Sequence, residues 1–181
     1  MKKIPTIFYR DLLNPRNIIN DYPGEVEWVF RREGVATRKF DGTCVMIDKQ
    51  GKAWSRREVK PGREEPVGFV AVETDPNTGK TVGWEPVELS GFRKFFAEAY
   101  AAVDYNLPAG TYELCGPKIN GNPEGFARHV LVPHGNEKLY GVPRTFHDLG
   151  VWLHDHPYEG VVWHHPDGRM AKIKKKDFPR P

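Results

Sequence analysis

Lys39-Phe40-Asp41-Gly42-Thr43 sets an amine two positions ahead of an Asp-Gly turn. A lysine attacks a phosphorus centre only as the neutral amine. Its ordinary pKa of about 10.4 must therefore fall through burial or nearby cations. Lys-x-Asp-Gly alone would also suit a plain surface turn, so the groups that follow matter. Ser55-Arg56-Arg57 supplies guanidinium groups, and Tyr112-Glu113-Leu114-Cys115-Gly116 supplies a carboxylate in mid-chain. Glu159-Gly160-Val161-Val162 supplies a second carboxylate, and Lys172-Ile173-Lys174 ends the series with two amines. Glu113 and Glu159 are hard oxygen donors, suited to Mg²⁺ rather than zinc. Lys172 and Lys174 alternate by two, so on a strand both amines point to one face. Two cations there can hold a triphosphate and depress the pKa of a neighbouring Lys39.

Strands and turns must position these groups. Alternating or β-branched runs predict strands over Glu25 to Phe30, Val35 to Lys39, Thr43 to Asp48 and Lys52 to Arg56, with a turn at Asp48-Lys49-Gln50-Gly51. Further strands are predicted over Thr111 to Cys115, His129 to Val132, Gly160 to His164 and Arg169 to Lys174, the last two joined at His165-Pro166-Asp167-Gly168. Ser90 is a candidate N-cap for a helix carrying Phe92, Phe95, Phe96, Ala99, Tyr100 and Val103 on one stripe, which is core packing rather than a base platform. A second helix is expected from Thr145 to about His154, with Phe146, Leu149 and Leu153 on one side. Lys60 to Gly83 is turn-rich and predicts a hairpin with loops, or a flap. The fold class expected is α+β, with antiparallel sheets and two or three helices outside.

Composition narrows the class. The 181 residues suffice for one domain with a core, and 39% hydrophobic with 28% charged residues excludes wholesale disorder. No apolar run approaches the ~20 residues of a membrane helix, so no membrane partner is expected. Cys44 and Cys115 form no disulfide framework, which makes a reduced, cytoplasmic protein the default. Net charge is +3, which permits a polyanionic partner without demanding one. His147, His154, His156, His164 and His165 cluster late in the chain, but their spacing fits no usual zinc module and no cysteine joins them. Oligomeric state is open.

Taken in order, these motifs resemble the covalent nucleotidyltransferase superfamily of ATP-dependent DNA and RNA ligases and mRNA capping enzymes. Motif I falls on Lys39 to Gly42, and the motif Ia arginine on Arg56, with Arg57 as the alternative. Motif III falls on Glu113, motif IV on Glu159 to Val162, and motif V on Lys172 and Lys174. The DNA ligase and capping branches carry an arginine where this chain has Cys44, and an OB-fold domain after motif V. Only Lys175 to Pro181 follow here. Lys-Phe-Asp-Gly-Thr is more like the RNA ligase branch. So are Glu113 to Pro123 and His129 to Gly135, which are similar to a family of 5′-to-3′ RNA ligases.

The resemblance implies one antiparallel-sheet nucleotidyltransferase domain over residues 1–181, an ATP-grasp-like ligase adenylation domain without an OB-fold. Lys39 would take AMP from ATP, pass it to an RNA 5′-phosphate, and let a 3′-hydroxyl displace it. Asp41 and Gly42 would shape the turn, with Asp41 on the ribose or Lys39. Arg56 would contact the sugar or incoming phosphate. Glu113 and Glu159 would hold Mg²⁺ (or Mn²⁺) or its water, and Lys172 and Lys174 the phosphates. No residue matches the adenine-stacking aromatic. The RNA would lie on a face around Lys39 with Arg56, Arg57 and a basic tail, Lys174 to Lys176. The rivals are a relative that modifies a nucleic-acid 5′ end without sealing it, and a non-catalytic basic RNA-binding domain.

Overall fold

Every strand predicted from Val35 onward forms in a computed structural model that describes residues 2–103 and 107–178; most ends shift by at most one residue, and the strand predicted over Lys52 to Arg56 runs on to Val59. The chain divides into two units: Met1–Lys3 with Asp41–His134, and Ile4–Phe40 with Gly135–Pro181. It passes from the second unit to the first at Phe40–Asp41 and returns at His134–Gly135.

The Asp41–His134 unit holds a six-stranded antiparallel sheet. Its strands are β2 (Thr43–Ile47), β3 (Ala53–Val59), β4 (Val70–Thr74), β5 (Thr81–Pro86), β6 (Gly110–Cys115) and β7 (Val130–Pro133), in the order β4-β5-β3-β2-β6-β7. Val45, Ile47, Tyr112 and Leu114 point from one face into a core with Phe96 and Ala99 of α2 (Arg93–Ala101). Phe92, Phe95 and Val103 pack at its margin, so the aromatic stripe is core. The predicted start of this helix is early. Ser90 follows a short 3-10 turn (Val87–Leu89), where its hydroxyl donates to the Val87 carbonyl and accepts the Phe92 N–H. It serves that turn, and the helix begins at Arg93. Lys60 to Gly83 gives the hairpin of β4 and β5, closed by Asp75, whose carboxylate accepts the N–H groups of Asn77 and Thr78.

The other unit has a three-stranded antiparallel sheet of β1 (Val35–Lys39), β8 (Gly160–His164) and β9 (Met170–Lys174), in the order β1-β8-β9. Its core joins Val161, Trp163, Ala171 and Ile173 to Ile7, Phe8, Leu149 and Leu153. The last two belong to α3 (Phe146–Asp155); the sequence expectation begins this helix at Thr145, which in the structure is its cap, the hydroxyl accepting the Asp148 N–H. Glu25 to Phe30 is not the predicted strand but a 3-10 turn (Gly24–Val26) running into α1 (Glu27–Phe30). Its buried residues are Val26, Trp28 and Val29; the adjacent Trp28 and Val29 cannot share one strand face, Val26 and Val29 are at helix spacing, and Glu27 pairs with Arg31 across one turn. Six residues were too few for the charge alternation to separate the two periods.

Lys174 to Lys176 is not a basic tail either. Lys175–Asp177 forms a 3-10 turn, Asp177 and Phe178 are buried, and the Lys175 ammonium donates to the His156 carbonyl. Pro179 to Pro181 lie outside the described residues.

The β1-β8-β9 sheet closes because residue 160 has no side chain. A Cβ there would meet the Ile173 carbonyl oxygen at 2.0 Å and the Lys174 Cα at 2.9 Å. Gly160→Ala should destabilise the protein by about 3 kcal/mol. Gly24→Ala, whose Cβ meets nothing within 4 Å, should stay within about 0.5 kcal/mol of wild type. Urea unfolding midpoints compare the two.

Candidate functional site

In the three-stranded unit, register brings the motif residues into one row. Lys39 pairs with Gly160 across β1 and β8, and Gly160 pairs with Lys174 across β8 and β9. Glu159 precedes that glycine. Its carboxylate lies between the two amines, with Oε2 at 2.5 Å from Lys39 Nζ and Oε1 at 2.6 Å from Lys174 Nζ. The side chain is only 9% exposed. Burial pushes the Glu159 carboxyl up, but the Lys39 charge and the bonds from Lys174 and Lys39 outweigh it and hold the group below its ordinary 4.5. The sequence predicts two cations beside Lys39; the structure adds an anion between Lys39 and Lys174. Lys172 shares the Lys174 face of β9, since Ala171 and Ile173 point into the core. Its backbone is tied on the outer edge of β9 by Ile7 and Pro5.

In the six-stranded unit, the Asp41-Gly42 turn is anchored from three sides. The Gly42 N–H donates to Glu113 Oε1 at 3.1 Å, and the Asp41 N–H to Glu124 Oε1 at 2.7 Å. The Asn120 amide donates to Asp41 Oδ1 and to the Gly42 carbonyl, both at 2.9 Å. Glycine is required, because a Cβ at residue 42 would lie 2.4 Å from the Leu114 carbonyl. The second Glu113 oxygen bonds His134 Nε2 at 2.7 Å, and His134 Nδ1 bonds Thr111 Oγ1 at 2.9 Å. A nearly buried carboxylate is thus held rigid on the sheet.

Register also separates the two arginines. Cys44 lies opposite Glu113, Met46 opposite Trp54, and Arg56 opposite Trp84. Opposed residues share a face and alternation carries it along each strand, so Arg56 and Glu113 sit on one face of the sheet. Arg57 is exposed on the other.

Asn120 and His134 lie in the segments Glu113 to Pro123 and His129 to Gly135, but the sequence assigns them no role of their own, and Glu124 lies outside both. Asn120-Gly121-Asn122 is a turn signal in sequence, and in the structure three consecutive residues have left-handed φ values of 49°, 77° and 58°. That geometry aims the Asn120 amide at the turn. Three of the late histidines have partners other than a metal: His164 bonds Thr37, His156 the Trp152 carbonyl, and His165 meets Asp167 and Glu33. The Arg169 N–H, with His165 and the Arg169 side chain, lowers Asp167 to about 2. Among the described residues no three His, Cys, Asp or Glu side chains form a group that could hold a metal ion, and no helix is long and apolar enough to cross a membrane.

A family model described as RNA ligase 1 matches residues 101–179. RNA ligase 1 of Pongo abelii is 38% identical over 74 residues, 36% of this chain and 23% of the relative. That of Danio rerio is 38% identical over 79 residues, 39% of this chain and 24% of the relative. That of Mus musculus is 39% identical over 74 residues, with 36% and 23% covered. This stretch of the chain is similar to RNA ligase 1. The match spans about a quarter of the length of these relatives. Residues 101–179 contain Glu113, Glu159, Lys172 and Lys174; Lys39, Asp41, Gly42, Arg56 and Arg57 lie outside them.

The Glu159 carboxylate should contribute stability that is complete above its ordinary 4.5 and is lost as pH falls through its lower folded value. Glu159→Gln should cost about 3 kcal/mol at neutral pH, where two ammonium groups are left facing an amide. The variant should also lose stability less steeply on acidification. Urea titrations at neutral and acid pH measure both effects. For Asn120, glycine keeps the left-handed backbone and removes two hydrogen bonds, so Asn120→Gly should cost about 1 kcal/mol. Asn120→Ala should cost about 1 to 2 kcal/mol more, because alanine resists a positive φ. Equal midpoints for the two variants would refute the backbone part of this account.

Proposed function

We propose that this chain is an ATP-dependent RNA ligase that works through a lysyl-adenylate on Lys39, with both units belonging to one adenylation domain. The observation that supports it is the Lys39–Glu159–Lys174 row, in which residues of motifs I, IV and V meet on adjacent strands. Similarity to RNA ligase 1 over residues 101–179 supports an RNA ligase-type function for the region carrying three of the proposed site's elements, Glu113, Glu159 and the lysine pair.

Lys39 must lose its ammonium proton before it attacks. Glu159 holds that ammonium at 2.5 Å and is the base within reach. The neutral amine forms a P–N bond to the α-phosphate of ATP, and the P–O bond to pyrophosphate breaks with its electron pair. Lys174, released from Glu159 by the incoming triphosphate, and Lys172 beside it stabilise the charge on the phosphates. An RNA 5′-phosphate oxygen then displaces Lys39 and takes the AMP. Finally the 3′-hydroxyl of a second end attacks that activated phosphate, loses its proton and expels AMP. Asp41, held by Asn120, is assigned to the ribose, and Gly42 to the turn. Arg56 is assigned to the sugar or incoming phosphate, and Arg57, on the far face of its sheet, to the RNA backbone.

The carboxylates of Glu113 and Glu159 have the oxygen chemistry that Mg²⁺ (or Mn²⁺) takes. An ion bound through one or two carboxylates, phosphate oxygens and water needs no cluster of three protein ligands. When bound, it would neutralise charge on the triphosphate and the leaving pyrophosphate.

Wild type incubated with labelled ATP and Mg²⁺ should carry covalent label through a denaturing gel. Lys39→Ala and Lys39→Arg should carry none, since guanidinium stays protonated. Absence of label from wild type would favour a non-catalytic RNA-binding module. Label without sealed RNA would favour an enzyme that only modifies the 5′ end. Glu113→Gln should lower the adenylylation rate about 10- to 100-fold and raise the Mg²⁺ needed for half-maximal rate. An unchanged Mg²⁺ titration removes Glu113 from the metal. Single-stranded RNA affinity should fall with salt at a slope of about −0.7 per phosphate contact, with Arg57→Gln reducing the slope by about one contact.

A further inference from the structure

Arg38 stands one residue before Lys39, the proposed nucleophile, and meets two aromatic rings. Its guanidinium carbon is 4.4 Å from the centroid of Phe40 and 4.9 Å from that of Tyr158. These rings have particular neighbours in the chain: Phe40 directly follows Lys39, and Tyr158 directly precedes Glu159. The guanidinium also meets Glu137 Oε2 at 3.4 Å, and its side chain is 19% exposed. The Arg38 N–H donates to the Glu137 carbonyl at 2.9 Å. Tyr158 is backed in turn by His156, at 5.4 Å between ring centroids, and His156 stacks on Trp152 of α3 at 4.0 Å. The His156 ring is fixed by a 2.7 Å hydrogen bond to the Trp152 carbonyl. A continuous stack therefore runs from α3 to the residue beside Lys39, all within one unit.

We propose that Arg38 is a positioning residue: by gripping Phe40 and Tyr158 together, it holds the backbone beside Lys39 against the backbone beside Glu159 and so sets the contact between those two side chains. A broad, delocalised cation reaches both rings at once, with its carbon at 4.4 Å and 4.9 Å from the two centroids. A lysine ammonium is a compact point charge and does not replace that span. The clamp acts on Lys39 and Glu159 and leaves Lys174, which is carried by β9, to its own strand. Its consequence for adenylylation rests on the proposed role of Lys39. The contact it sets does not.

The test reads the contact directly. A water-soluble carbodiimide joins a carboxylate to an amine in van der Waals reach, so in folded wild type Glu159 should cross-link to both Lys39 and Lys174. Peptide mass spectrometry gives the ratio of the two products, with the Lys174 product as an internal control for folding. Arg38→Lys should lower the Lys39:Lys174 ratio at least fivefold. Tyr158→Ala should do the same from the other side of the clamp, and Tyr158→Phe, which keeps the ring, should restore the wild-type ratio. Glu137→Gln, which leaves both rings in place, should stay within twofold of wild type. With labelled ATP, Arg38→Lys should slow self-adenylylation at saturating ATP 10- to 100-fold, with half-saturating ATP within threefold of wild type. A wild-type ratio in both Arg38→Lys and Tyr158→Ala overturns the proposal. A fall in Glu137→Gln as large as in Arg38→Lys assigns the effect to the ion pair and also overturns it. If the ratio falls as expected but wild type takes up no label, the clamp stands and the ligase function does not.

Discussion

A single carboxylate between two ammonium groups holds the candidate site of this chain together. Glu159 is nearly buried, and a buried carboxylate without partners would be costly enough to take up a proton. Two lysines on flanking strands make the charge tolerable. In return the carboxylate offsets the repulsion between two ammonium groups carried by the strands on either side of β8. The arrangement also demands that β8 and β9 approach closely at residue 160, which only glycine allows. The glycine after Glu159 is thus part of the site, although it presents no functional group.

The six-stranded unit solves a different problem. Its Asp-Gly turn is fixed through backbone N–H groups and a side-chain amide rather than through ion pairing. Glu113, Glu124 and Asn120 bind the turn from β6 and from the loop that follows it. A turn whose N–H groups are bonded to carboxylates cannot swing when an anionic ligand arrives, and preorganisation of this kind lowers the cost of binding.

Much of this was legible in the sequence because it follows from local periodicity. The alternation of Lys172 and Lys174, the α2 stripe and the apolar side of α3 each need only a few residues of context. The order of Lys39, Glu159 and Lys174 pointed to a common site before any geometry was known. What could not be read depends on distant pairing. Asn120 and Glu124 reach Asp41 across about eighty positions, and nothing in their neighbours announces it. The choice between Arg56 and Arg57 turns on strand register, since one step along a strand exchanges faces. Glu25 to Phe30 misled because a short amphipathic run fits both periods, and tertiary burial of Val26 and Val29 decided between them. The Lys174 to Lys176 run looked like a solvated tail because its charges conceal the buried Asp177 and Phe178 beyond it.

The unit that carries Lys39 is discontinuous in the chain, and the six-stranded unit is inserted within it. During synthesis residues 41–134 are available to fold while β1 still lacks its sheet partner β8. Lys39 and Glu159 are separated by 120 positions, and β9 comes later still. Such long-range pairings close slowly, after the entropy of a large loop has been given up. The Lys39–Glu159–Lys174 row is therefore complete only when the last strand docks. A chain interrupted before that point would contain Lys-x-Asp-Gly intact, with the six-stranded unit behind it, and yet lack the neutralised lysine pair. The ion-paired row in this architecture is acquired last, as a by-product of finishing the fold.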